Sequence, residues 1–79
     1  MSNRQELIQA FATALTIPAG EVVDTLSYQG VPQWDSVAHM ALVTELETVF
    51  DVMLDTDEIL ALSSVAKARE ILAAHGIAF

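Results

Sequence analysis

The sequence predicts an all-α fold: three longer helices, one short helix, and a long loop between the first and second. Three observations carry this. Apolar residues recur at three- and four-residue intervals in separate blocks. Serine, aspartate, proline and glycine stand between the blocks, where helices start and stop. No stretch shows the apolar–polar alternation of a half-buried strand. The 79 residues suit one domain over 1–79 with one core. A core of that size leaves a net stability of only roughly 3–5 kcal/mol.

The first block holds Leu7, Ile8, Phe11, Ala12 and Leu15 along one helical face. Ser2, three residues before Gln5, can form a reciprocal capping box at its start. Pro18 and Gly20 are expected to end it. Residues 18–35 then make the long connection, in which Val22, Val23, Leu26 and Tyr28 are expected to pin the chain to the core. Structureless segments of this length are uncommon in compact domains and often functional. The second helix should begin at Asp35 or Ser36 and run to about Phe50. Its apolar stripe reads Val37, Met40, Val43, Leu46 and Phe50, widened by Leu42 and Val49. Asp55-Thr56-Asp57-Glu58 has the acidic first turn of a short third helix carrying Ile59, Leu60 and Leu62. Ser63 or Ser64 can cap a last helix, with Val65, Ala68, Ile71 and Leu72 inward and Gly76 as its stop.

Composition narrows the function. Apolar residues make up 53% of the chain, which argues against disorder. Cysteine is absent, so there is no disulfide framework, no thiolate nucleophile and no cysteine-based metal site. A reducing cytoplasm is therefore the expected compartment. The polar start, Met1-Ser2-Asn3-Arg4-Gln5-Glu6, lacks the apolar run of a signal peptide. No stretch approaches the length of a membrane-spanning helix. Eleven acidic residues against Arg4, Lys67 and Arg69 give a net charge of −8. Phosphates would be repelled, so nucleic acid is not an expected partner. An acidic surface first of all keeps a small domain soluble. Beyond that, it favours steered docking onto proteins with basic patches.

Trp34-Asp35-Ser36 stands where the long loop meets the strongest helix. A hydroxyl there is exposed beside open backbone N–H groups, a place that suits a phosphate. Taken alone, an Asp-Ser pair before a helix is usually an N-cap and nothing more.

The wider segment adds to that reading. Trp34-Asp35-Ser36-Val37-Ala38-His39-Met40-Ala41-Leu42-Val43-Thr44-Glu45-Leu46-Glu47-Thr48-Val49-Phe50-Asp51 resembles the central helix of acyl carrier proteins. The shared features are Asp-Ser, the apolar residues at 37, 40, 43 and 46, Leu46-Glu47, and Phe50 followed by a polar residue. The resemblance runs over nearly the whole chain, including the long loop, the acidic short helix and Ser64-Val65. It implies a four-helix carrier bundle. Ser36 then aligns with the serine that takes 4'-phosphopantetheine from coenzyme A. Asp35 aligns with the acid that helps the phosphopantetheinyl transferase and its Mg²⁺ handle the phosphate. The arm's distal thiol would hold an acyl or aminoacyl thioester, so a chain without cysteine can serve acyl transfer. The expected partners are that transferase and the loading and transfer enzymes. Val37, Met40, Glu47 and Asp57 are the expected docking residues. The chain itself is expected to be a monomeric, non-catalytic carrier.

Some positions depart from the fatty-acid type. Ala38, Ala41 and Thr48 stand where those carriers often have acids; the Leu-Gly-Gly run that often precedes the serine in peptidyl carriers is absent as well. The Trp-Asp-Ser-x-x-His form looks more like stand-alone carriers of secondary-metabolite or surface-polysaccharide pathways. His39 follows Ser36 by about one turn, but no third member or oxyanion hole accompanies a Ser–His pair. It is expected at the surface or against the arm, and Trp34 is expected to anchor the loop. Asp55-x-Asp57 is not a calcium loop, since Leu60 and Ala66 occupy the positions that need Gly and Glu. The competing reading is an unmodified interaction or scaffold module in which Asp35 only caps the helix.

Overall fold

The computed structural model describes residues 2–79. Four α-helices follow in order: α1 (Asn3–Leu15), α2 (Ser36–Phe50), α3 (Thr56–Ala61) and α4 (Val65–Ala74), with one 3-10 turn at Ala19–Glu21. No strand occurs among the described residues; the β-type pairing there is an isolated bridge between Ser27 and Ser64. No helix is long and apolar enough to cross a membrane among the described residues.

The starts of the helices obey local chemistry. Ser2 and Gln5 close the expected capping box on α1. Asp55 and Glu58 close a second one on α3, and Ser64 caps α4 by accepting from the Lys67 amide. α1 stops earlier than its proline suggests. Thr16 adopts a left-handed conformation (φ 56°) and its amide donates to the Ala12 carbonyl, so the helix closes two residues before Pro18. Beyond α4, Gly76 takes φ 91°, and the Gly76 and Ile77 amides return to the Ala73 and Leu72 carbonyls.

The core gathers Leu7, Phe11 and Leu15 from α1, Leu42, Leu46 and Phe50 from α2, and Val65, Ala68 and Leu72 from α4. Trp34 and Leu62 fill it from the connections, and no polar or charged residue is buried among the described residues. Trp34 is fully buried with its ring edge-on to Phe11, which makes it the anchor of the long loop. Val22 and Leu26 pin the same loop. Val23 does not, being exposed, and Tyr28 is partly exposed but rests its ring on Trp34. Their neighbours take the inward positions while the loop turns through residues 24–25 and 28–29.

The stripe of α2 also differs from expectation. Val37 is 81% exposed and Met40 53% exposed. The reason is geometric. Each three-residue step falls about 60° short of a full turn, so a 46-43-40-37 series walks about 180° round the helix. His39, Val43, Leu46 and Phe50, spaced four, three and four, form the true inward line. In α3, Leu60 points outward at 77% exposure, while Leu62 lies beyond the helix and is buried.

Candidate functional site

The site is built at the first turn of α2. Asp35 is the N-cap, and its Oδ1 accepts from the Ala38 amide at 2.8 Å. That satisfies one of the terminal N–H groups that every helix leaves open. Ser36 is the first helical residue and is exposed, so its hydroxyl stands at the positive end of the helix dipole. The Tyr28 hydroxyl lies 3.3 Å from Ser36 Oγ.

Behind this pair three rings lock together. Tyr28 meets Trp34 edge-on at 6.2 Å between centroids, and His39 lies stacked along Trp34. Trp34 Nε1 donates to His39 Nδ1 at 3.0 Å, and His39 Nε2 lies 2.9 Å from the Ile59 carbonyl oxygen. An indole N–H can only donate, so Nδ1 accepts and Nε2 carries the hydrogen that goes to Ile59. His39 is thus half-buried and joined to three parts of the chain: the loop, α2 and α3. It is half-buried rather than fully at the surface.

Between α2 and α3 lies an open cleft of about 340 Å³. Ser36, His39 and Met40 form one wall and Ile59, Leu60, Leu62 and Ser63 the other, with Tyr28 at the rim. The lining is mostly apolar, and Ser36 is the hydroxyl at its helical edge. Met40 therefore joins Ser36 in one site. Val37 is exposed beside Ser36 but does not line the cleft. Asp57 is exposed in the first turn of α3, outside the lining.

Glu47 is placed differently from the other expected docking residues. It lies eleven residues along α2 from Ser36, about 16 Å by helical rise. It is half-buried, and its Oε2 accepts from the Leu54 amide at 3.0 Å, fixing the turn that follows α2. Its carboxylate has a structural task independent of any partner. Sequence reasoning missed Tyr28 and Ile59 as site residues. Their signal is tertiary: each reaches the first turn of α2 from a separate element, and only the shared contacts with His39 and Ser36 reveal it.

The basic residues lie elsewhere. Arg69 of α4 grips Asp24 of the loop through two N–H···O contacts of 2.7 and 3.2 Å. The hydrogen bond from Arg69, with its positive charge and that of Arg4, holds the Asp24 carboxyl below its ordinary value of 3.8. The same bond raises the guanidinium of Arg69. No cluster of three or more His, Asp or Glu that could hold a metal ion occurs among the described residues. Among known proteins, no family model matches the chain and no curated protein matches it.

Proposed function

We propose that this chain is an acyl carrier domain, holding an acyl or aminoacyl group on a 4'-phosphopantetheine arm attached to Ser36. One observation carries the reading: an exposed serine at the capped start of the central helix opens directly onto an apolar cleft beside it. The residues fit the group. Ser36 Oγ is accessible to a transferase, the helix end favours the phosphate's charge, and the cleft offers apolar surface to whatever the arm carries. The arm supplies a thiol on which the cargo rides as a thioester. Ser36 is the acceptor of the phosphodiester, and Asp35 orients the first turn by capping it. Asp35 also stands where a transferase's Mg²⁺ would offset its repulsion of the incoming phosphate.

The cleft is open to solvent, and Phe11, Trp34, Leu42 and Leu46 are fully buried in the core beside it. A short cargo in a dedicated biosynthetic pathway, of the secondary-metabolite or surface-polysaccharide kind, suits this better than a long chain inside the bundle. Partners would be the transferase and the loading and transfer enzymes, drawn by the −8 charge toward basic surfaces.

The deciding experiment is intact mass after incubation with coenzyme A and a broad-specificity phosphopantetheinyl transferase. Wild type should gain the arm and Ser36→Ala should not, with the helical spectrum unchanged. An unmodified wild type would favour the second reading, an interaction module, which the capping bond of Asp35 to Ala38 already suffices to explain. Melting temperatures of short- and long-chain thioesters test the cargo. A long chain that entered only the folded core would stabilise it markedly, whereas the short-cargo reading expects little change with chain length.

A further inference from the structure

We propose that Tyr28 is a second determinant of the arm site: its hydroxyl binds an oxygen of the phosphate on Ser36 and turns the arm across the cleft. This rests on Ser36 carrying the arm. The contact between the Tyr28 hydroxyl and Ser36 Oγ is 3.3 Å, longer than the roughly 2.7–2.8 Å typical of hydroxyl pairs. The two hydroxyls are only weakly paired, so little is lost when the Tyr28 hydroxyl turns from Ser36 Oγ to an oxygen of a phosphate attached there. A phosphodiester on Ser36 places anionic oxygens there, and anionic acceptors take shorter and stronger hydrogen bonds than neutral ones.

The open N–H groups at the start of α2 face the phosphate from the backbone; the polar side chains around it, apart from Tyr28, are His39, Asp35 and, across the cleft, Ser63. Both nitrogens of His39 are engaged, one by Trp34 and the other by Ile59. Asp35 carries a charge of the wrong sign. No lysine or arginine lines the cleft, and Arg4 and Arg69 line a separate hollow around Asp24. Among side-chain donors, the Tyr28 hydroxyl is the one in contact with Ser36 Oγ.

Its position is fixed before any ligand arrives. The ring lies 5.2 Å from that of His39 and 6.2 Å from that of Trp34, centroid to centroid. The Tyr28 amide donates to the Ser63 carbonyl at 2.9 Å, tying the residue to the turn before α4. A donor held this way needs little ordering on binding. It stands at the rim of the cleft, so a phosphate bonded to it directs the rest of the arm over Met40 and Leu60 rather than out into solvent.

The test uses the whole chain before and after loading, with attachment checked first by intact mass. Tyr28 is the only tyrosine, so tyrosine labelled with carbon-13 at Cζ gives one resonance. That resonance should move on loading. In Tyr28→Phe the arm should still attach, while the phosphorus-31 resonance shifts and narrows as the phosphate loses its fixed donor. A Cζ resonance indifferent to loading, with identical phosphorus spectra for wild type and variant, overturns the role of Tyr28 and leaves the carrier reading intact. A wild type that never gains the arm overturns both. If Tyr28→Phe fails to fold, the wild-type Cζ comparison decides alone.

Discussion

α2 buries Leu42, Val43, Leu46 and Phe50, whereas α3 buries none of its own residues. Both helices form walls of the same cleft, yet they are held by different forces. α2 packs along α1, the broadest helix-to-helix contact among the described residues. α3 is held at its ends, by Leu54 and Leu62 in the flanking turns, and by hydrogen bonds from the chain's two histidines. His39 of α2 reaches the Ile59 carbonyl, and His75 after α4 meets the Glu58 carboxylate at 2.8 Å. One wall is a piece of core and the other is a short segment fastened by polar contacts and by the half-buried Ile59. Segments with few buried apolar contacts open at lower free energy than the core, so the cleft has one rigid wall and one that yields.

Four substitutions probe that contrast. Phe11→Ala should have the largest effect. Phe11 is fully buried against Trp34, and its loss should cost roughly 3–5 kcal/mol. That is comparable to the whole stability of so small a domain, so the circular dichroism melt should lose its cooperative transition.

His39→Leu should come next. It keeps bulk but orphans the N–H of the buried Trp34, at a cost of roughly 1–3 kcal/mol. The sharper readout is hydrogen exchange, where α3 should lose protection before α1 and α2. Equal loss in all three helices would show that α3 belongs to the same cooperative unit as the core.

Asp24→Asn tests a third kind of attachment, the ion pair between the loop and α4. Asp24 is held below its ordinary value of 3.8 when folded. Its contribution is therefore present above that value and lost as the pH falls through the lower, folded value. The variant should have a shallower acid limb of stability in that window, read by melts from neutral pH downward. The pair is exposed, so the effect is small.

Leu60→Ala should be the mildest. Its side chain is 77% exposed, and such surface changes usually fall within about 0.5 kcal/mol. A large destabilisation would mean that α3 packs more tightly than its exposure implies.

Helix starts were legible in the sequence where a cap joins residues three apart and needs no tertiary information: Ser2 bonds as its spacing indicates and Ser64 is the cap of the two serines offered, whereas Asp55, expected in the first turn of α3, is its cap. The α2 register was legible only in its C-terminal half. Leu46 and Phe50 are inside, but a run of three-residue steps conceals rotation, and Val37 and Met40 fell on the wrong side of it. For the site, Asp35 and Ser36 were legible from their place at a loop–helix junction. The cleft was not, since its second wall comes from α3, and the role of His39 depends on Trp34 and Ile59 meeting across the fold. Glu47 reads as a free surface acid until the Leu54 amide is found on it.

The backbone bridge between Ser27 and Ser64 bears on the order in which the chain can assemble. The Tyr28 amide donates to the Ser63 carbonyl and the Val65 amide to the Leu26 carbonyl. The long loop thus borrows its partners from the start of the last helix. α1 and α2 can collapse together as soon as the connection between them closes, but residues 26–28 find their acceptors and donors only after the C-terminal part of the chain has docked. During synthesis, the rim of the cleft is therefore completed last, after the serine that it borders is already in place.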